Sequence, residues 1–223
     1  MKQGRFYFIE ADYFKKYDPD KKLMGNKPGE HNRPCYYVFP DAKEPAIMWC
    51  VPISSQIEKY SKIAHDKVQG QLRKGKKNPS CDTLCFGKVL GNDRAFLIQN
   101  MFPVSKDYIS KIYLDRNSNK PVPLHPKVAH EIEIKTRKIL KLVQRGYGSL
   151  VFSDILKTRE NLIQELHGRD ARKEKSLELP QRMTPVKPEA EPDFLNLFEE
   201  VIAKGKSHQE EIAVSIEKDE IDK

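Results

Sequence analysis

The stretch WCVPISSQIEKYSK, Trp49 to Lys62, decides how the chain is read. The apolar run Ile47, Met48, Trp49, Cys50 and Val51 predicts a buried strand, Pro52 is expected to stop its pairing, and Ser54 and Ser55 stand where a helix should begin. Ser55 precedes Glu58 by three residues, the capping-box spacing, in which the Ser oxygen accepts a backbone N–H and the Glu reaches back. The same arrangement suits an anion, most obviously a phosphate, because a helix start offers free N–H groups and the positive end of the helix dipole beside two hydroxyls. Lys59 and Lys62 fall on the helical face that carries Ser55. A plain capped helix with solvated lysines and a phosphate site are both open on these residues.

Working outward, Arg5 to Glu10 alternates as a first strand, and Asp12 to Tyr17 adds a helical turn. A long charged loop ends in His31-Asn32-Arg33-Pro34, and Pro34 opens a second strand, Cys35 to Phe39. The turn Pro40 to Pro45 returns the chain into Ala46 to Val51 as a hairpin, so the residues before one strand meet those after its partner: HNR lies near PISS. The helix from Ser55 is expected to reach about Leu72, burying Ile57, Tyr60, Ala64 and Val68. A basic turn with Arg73, Lys74, Lys76 and Lys77 comes next, suited to a nucleic-acid backbone or to solvent. Thr83 to Leu90 and Arg94 to Phe102 read as a second hairpin around GND, and Ser105 to Leu114 as a short helix or turn. Lys127 to Arg145 predicts an amphipathic helix with Lys135, Lys138 and Arg145 on its basic face. Another helix begins after Ser153. The expected fold class is α+β: five strands in a small curled antiparallel sheet with helices packed on one side. One domain is expected over residues 1–178. Residues 179–223 read as a proline-marked linker and flexible acidic tail holding one short amphipathic helix, Phe194 to Ala203.

The charge distribution narrows the function. The 223 residues carry a net charge of +8, but Val186 to Lys223 holds 5 Lys against 11 Asp and Glu, leaving 35 basic and 21 acidic residues before it. A compact body with that excess attracts polyanions, in the cytoplasm chiefly nucleic acid. Mean hydropathy is −0.69. No apolar run approaches the roughly 20 residues of a membrane span, and no signal peptide is read, so a cytoplasmic protein is expected. The four cysteines are then expected to be reduced. Cys81 and Cys85 have a spacing permissible for zinc, but no second close pair is present, and neither metal nor cofactor is expected. Trp49 and Tyr60 read as core, and His65 as peripheral.

The opening FYFIEADYFKKY, the strand start HNRPCYYVF, the junction VPISSQIEKY, the strand FLIQNMFPV and the long late helix together resemble, over roughly Phe6 to Leu166, the endoribonuclease toxins of type III toxin–antitoxin and phage abortive-infection systems, the ToxN, AbiQ and CptN group. The resemblance implies a compact MazF- and Kid-like sheet barrel with helices, metal-independent RNA cleavage, and inhibition by a repeat-derived RNA pseudoknot. The family's hydroxyl pair matches Ser54 and Ser55; its basic residue at the second strand matches Arg33, or position 35 when Pro34 is the anchor; an upstream polar or aromatic residue falls near His31; and its lysine after the hydroxyls is nearest Lys59, displaced by a turn.

Cleavage without a metal requires the RNA 2′-OH to attack its adjacent phosphate, leaving a 2′,3′-cyclic phosphate. The protein must accept a proton and stabilise charge on the phosphoryl oxygens. Ser54, Ser55, the helix start and Lys59 or Arg33 suit the second task, and His31 the first, its ordinary pKa lying near neutrality. Lys62 reads as a phosphate contact. The expected partners are substrate RNA and a small antitoxin RNA, with an RNA-bridged homo-oligomer as a further expectation. Two other readings stand beside this one: a non-catalytic RNA-binding regulator, and a MazF-like ribonuclease with a protein antitoxin, whose acidic tail would occupy the basic groove in cis.

Overall fold

The structure is a computed structural model that describes residues 1–23 and 33–177. His31, the linker, the acidic tail and the short helix expected in it lie outside the described residues. In chain order the elements are β1 (Phe6–Ile9), α1 (Ala11–Tyr17), β2 (Pro34–Pro40), β3 (Ile47–Ser54), α2 (Ile57–Arg73), β4 (Leu84–Val89), β5 (Asn92–Leu97), β6 (Phe102–Ser105), β7 (Ile109–Ile112), α3 (Pro126–Gln144) and α4 (Ile155–Leu177). The seven strands form one antiparallel sheet in the order β4-β5-β3-β2-β1-β7, with β6 also paired to β3. The class is α+β, as expected. The described pairings leave β4, β6 and β7 each with one unpaired edge, so they do not close the sheet into a barrel.

Strand β3 organises the sheet. Its eight residues are all buried. One edge pairs with β2, from Cys35↔Pro52 to Pro40↔Met48; the other pairs first with β6 through Ile47 to Cys50 and then with β5 through Ile53 and Ser54. The expectation that Pro52 stops the strand is therefore corrected. Proline lacks an N–H, and Pro52 sits where β3 passes from β6 to β5, between the two ladders on that edge, so the missing donor breaks neither. The single expected strand Arg94 to Phe102 is broken for the same reason: a 3-10 turn at Ile98–Asn100 carries the chain from one ladder to the next. The segment Ser105 to Leu114 contains strand β7, whose Ile109 and Ile112 stand three apart around exposed Ser110 and Lys111, a spacing that also suits a helix.

Side-chain alternation sorts the sheet into two faces. Phe6, Tyr36, Trp49, Val51, Ile53 and Phe96 share the inner face with Ile132, Ile139 and Val143 of α3 and Ile155 of α4. The rings of Phe6 and Phe96 stand 6.3 Å apart although β1 and β5 are separated by two strands. In a flat sheet that separation would be about 14 Å at the usual strand spacing, so the sheet curls around this cluster. On the outer face Tyr7, Ile9, Cys35, Tyr37 and Cys50 meet Tyr13 of α1 and Leu162 of α4, and Leu84, Ala95 and Leu97 meet Tyr60 of α2. Helices thus cover both faces, correcting the one-sided expectation. The period-two pattern is apolar on both sets of positions in β2 and β3, the signature of a sheet buried twice.

Two features pin the packing. Gly87 on β4 lies so close to α3 that an added Cβ would be 2.6 Å from a Val128 methyl. Asp41, in the β2–β3 turn, accepts the Trp49 indole N–H at 3.0 Å and a two-pronged bond from Arg159 of α4 at 2.6 and 2.7 Å. Burial alone would raise the Asp41 pKa, but Arg159, the backbone N–H groups of Lys43 and Glu44, and Trp49 outweigh it and hold the carboxyl down at about 2.

Gly87→Ala is expected to destabilise the fold by about 2 kcal/mol through overpacking, read as a lower urea midpoint, with Val128→Ala in the same chain restoring most of the loss. Arg159→Ala should cost about 3 kcal/mol near neutral pH, because it strands a buried carboxylate whose other hydrogen bonds remain. The depressed folded pKa sets the sign: the Asp41 contribution is complete above its unfolded value of about 3.9 and disappears as pH falls towards 2, so the stability gap between the wild type and Arg159→Ala should close over that interval.

Candidate active site

The β3–α2 junction differs in one residue from the expected capping box, and the difference matters chemically. Helix α2 starts at Ile57, its N-cap is Gln56, and no side chain caps it. Buried Ser54 instead holds the turn, its Oγ accepting the Gln56 N–H at 3.2 Å, while Ile57 N–H donates to the Ser55 carbonyl at 2.9 Å. The Ser55 hydroxyl is exposed and, like the Glu58 carboxylate, makes no side-chain hydrogen bond among the described residues. Capping, the alternative use for this hydroxyl, is thereby removed. The N–H groups of Glu58 and Lys59 find no backbone acceptor among the described residues, as the first turn of a helix requires. Ser55, Gln56, Ile57, Glu58 and Lys59 line a shallow depression of about 560 Å³.

Arg33 approaches from the neighbouring strand. Continuing the Cys35↔Pro52 register outward by two residues sets Arg33 opposite Ser54, both on the outer face. The Arg33 Nη1 is buried with no hydrogen-bond partner among the described residues. Ser54, Ser55 and Lys59 follow the end of β3 into α2, and the register puts Arg33 at the same end of the sheet. Lys59 is exposed, its Nζ 5.6 Å from the Tyr60 ring centroid. Helix α2 is held in place by Tyr60 against Leu84, Ala95 and Leu97 and by Lys67, whose Nζ donates to Thr83 Oγ1 at 2.7 Å and Gln99 Oε1 at 3.0 Å. Lys67 is passed over by sequence reasoning, because its partners are distant in the chain and leave no local pattern.

The other predicted contacts divide by what they already bind. Lys62, Arg73, Lys74, Lys77 and Arg145 are exposed. Lys76 donates to Gln71 Oε1, which also accepts the Ser80 N–H, so the basic turn is tied to the end of α2. Lys135 is committed to the Leu84 carbonyl at 3.0 Å and to Glu131 at 2.7 Å, and Lys138 to Asp82 at 2.5 Å. The α3 face is therefore less free than its composition suggests. Trp49 and Tyr60 are core, and His65 is exposed.

A second polar cluster joins elements. Glu165 of α4 accepts from Lys16 at 2.7 Å, from Tyr108 at 2.9 and 3.0 Å, and from Tyr17 and Arg169. Burial opposes ionisation of Glu165, but Lys16, Tyr17 and Tyr108 outweigh it and hold the pKa at about 2. All four cysteines are free, and burial pushes Cys85 up to about 12. Among the described residues no group of three or more His, Cys, Asp or Glu could hold a metal ion, and no helix is long and apolar enough to cross a membrane.

No family model matches the sequence, and no curated protein matches it. Solved structures do. A protein from work on bacterial type III toxin–antitoxin systems, concerned with selective toxin inhibition by a non-coding RNA pseudoknot, superposes with a TM-score of 0.51 at 18% identity over 74% of this chain and 98% of its own. The chain has a type III toxin-like fold. A protein of a bacterial antiviral system regulated by a processed non-coding RNA also matches, with a TM-score of 0.49 at 14% identity over 70% of this chain and 95% of its own. In this chain the fold carries the exposed Ser55 hydroxyl just before the N-cap of α2, and a basic residue, Arg33, just before β2.

Proposed function

We propose that the chain is an endoribonuclease toxin that cleaves RNA without a metal and is restrained by a repeat-derived antitoxin RNA in defence against phage. The observation that carries the reading is the Ser55 hydroxyl, exposed and uncommitted at an unfilled helix start, one residue past the Ser54 that the strand register sets opposite Arg33, in a fold like that of a type III toxin. The 2′-OH loses its proton and attacks the adjacent phosphate, the P–O5′ bond breaks, and the 5′ oxygen leaves as a hydroxyl after taking up a proton, so the products are a 2′,3′-cyclic phosphate and a 5′-OH. Ser55, the N–H groups of Glu58 and Lys59, and Arg33 stabilise charge that grows on the phosphoryl oxygens. Ser54 is a positioning residue: its bond to the Gln56 N–H fixes the turn that presents Ser55. Lys59 adds a cation at the rim, and proton transfer is assigned to His31 from its sequence position. The curl of the sheet is in keeping with a MazF- or Kid-like arrangement. The non-catalytic RNA-binding reading predicts that the same surface binds RNA without cutting it.

Expression of the wild-type chain is expected to arrest growth, with purified protein cleaving RNA in EDTA to 2′,3′-cyclic phosphate ends. Ser55→Ala should lower the cleavage rate by about 100-fold or more, the scale of losing one donor to a developing oxyanion, while RNA binding persists. Unchanged cleavage by Ser55→Ala, or intact RNA after incubation with the wild type, removes the assignment. Replacing Lys74, Lys76 and Lys77 together should also flatten the salt dependence of RNA affinity, by up to about 0.7 in slope for each phosphate contact to single-stranded RNA that is lost. Lys138→Ala, which removes a cation already paired with Asp82, should leave that slope nearly unchanged.

A further inference from the structure

On the inner face of the same sheet end lies a cleft of about 900 Å³ whose lining includes Phe8, Pro34, Leu90, Lys111, Tyr113 and Arg116. Phe8 and Tyr113 meet edge to face at 5.5 Å, and the Lys111 ammonium stands 5.6 Å from the Phe8 ring centroid. Both rings are only partly buried, Lys111 and Arg116 are exposed, and Leu90 is 41% exposed at the tip of the β4–β5 turn. The wall is built rather than loose. Tyr113 is bonded to both sides, its N–H to the Phe6 carbonyl at 2.8 Å and its carbonyl to the Val122 N–H at 3.1 Å. Asp115 closes the adjoining turn by accepting the Asn117 N–H and the Ser118 hydroxyl. None of these residues belongs to the Ser55 site.

We propose that this cleft receives an unpaired RNA base next to the cleaved bond, stacked against Phe8 and Tyr113, with Lys111 and Arg116 on its backbone phosphates. The inference rests on the ribonuclease reading and adds a specificity subsite to it. Three observations favour a single-stranded polyanion as the occupant. The lining pairs partly exposed aromatic rings with cations, the combination on which bases stack and phosphates pair. The sequence before residue 186 carries 35 basic against 21 acidic residues. The cleft also adjoins the Ser55 site along the chain: Pro34 is at its rim on the inner face, and its neighbour Arg33 stands opposite Ser54 on the outer face. A strand crossing the sheet end at Arg33–Pro34 reaches both, so the base held in the cleft lies at a fixed offset from the reacting phosphate.

The experiment is cleavage of a randomised single-stranded RNA pool by the full chain, together with photocrosslinking of 4-thiouridine-substituted RNA to Ser55→Ala protein. The wild type should show base preference at one position flanking the cut. Phe8→Leu, which keeps apolar bulk but removes the stacking face, and Lys111→Ala/Arg116→Ala should each raise KM about 10-fold with kcat little changed, and Phe8→Leu should flatten preference at that position alone. Crosslinks should fall on Phe8, Tyr113 or Leu90. If the wild type cleaves and both variants keep its KM and preference, the subsite is overturned. If the wild type cleaves nothing, the ribonuclease reading fails, and the crosslinks decide the cleft separately: crosslinks confined to other surfaces overturn it. Unfolding midpoints accompany each variant, and should Phe8→Leu unfold, the Lys111→Ala/Arg116→Ala protein carries the decision.

Discussion

Strand β3 has hydrogen-bonded neighbours along both edges and apolar neighbours on both faces, and the remaining elements are placed by it. Its first half is held by β6, its last two residues by β5, and its other edge by β2. Such a strand has no freedom to slip, because a one-residue shift would move Trp49, Val51 and Ile53 out of one cluster and Cys50 out of the other. That rigidity extends through Ser54, the last residue of β3, into Ser55 and the first turn of α2. The fixed register of β3 therefore sets where the exposed hydroxyl and the unfilled N–H groups stand. The β2 ladder, continued past Pro34, sets Arg33 at the same end of the sheet, opposite Ser54.

Ionic contacts close the frame at the opposite end of β3. Asp41 ties the β2–β3 turn to the core indole of Trp49 and to Arg159 of α4, while Glu165, further along α4, gathers Lys16, Tyr17 and Tyr108. Both carboxylates are held at about 2 against the pull of burial, so they remain charged through the neutral range. Helix α4 is thereby fastened to the hairpin, to α1 and to the segment before β7. The site end of the sheet bears no comparable network among the described residues. It presents exposed cations and a hydroxyl without a partner, the distribution expected when one end of a sheet is left for a ligand.

Much of this was legible in the sequence, because local chemistry carried it. The hairpin of β2 and β3, the strand-to-helix junction, the core role of Trp49 and the α3 helix from Pro126 are dictated by apolar runs, turn residues and helical periodicity. Pro52 misled because its missing N–H harms a ladder only if a partner faces it, and the change of partner from β6 to β5 is a tertiary fact. The capping-box spacing of Ser55 and Glu58 misled for a related reason: Ser54, drawn into β3, bonded the turn first and pushed the helix start to Ile57. Lys135 and Lys138 looked like a free basic stripe, and their acceptors Leu84 and Asp82 lie some fifty residues earlier in sequence, where no local pattern reveals them. Phe8 and Tyr113 gave no signal as a pair, since only the pairing of β1 with β7 brings them together.

A phosphate seated at the first turn of α2 is the central expectation, and a structure of the full chain bound to a short RNA whose attacking 2′-OH is replaced by hydrogen tests it most directly. The predicted result is one phosphate within hydrogen-bonding distance of the Ser55 hydroxyl and the Glu58 or Lys59 N–H, with the Arg33 guanidinium on the same group. An RNA bound with its backbone elsewhere and the α2 start left empty would contradict it.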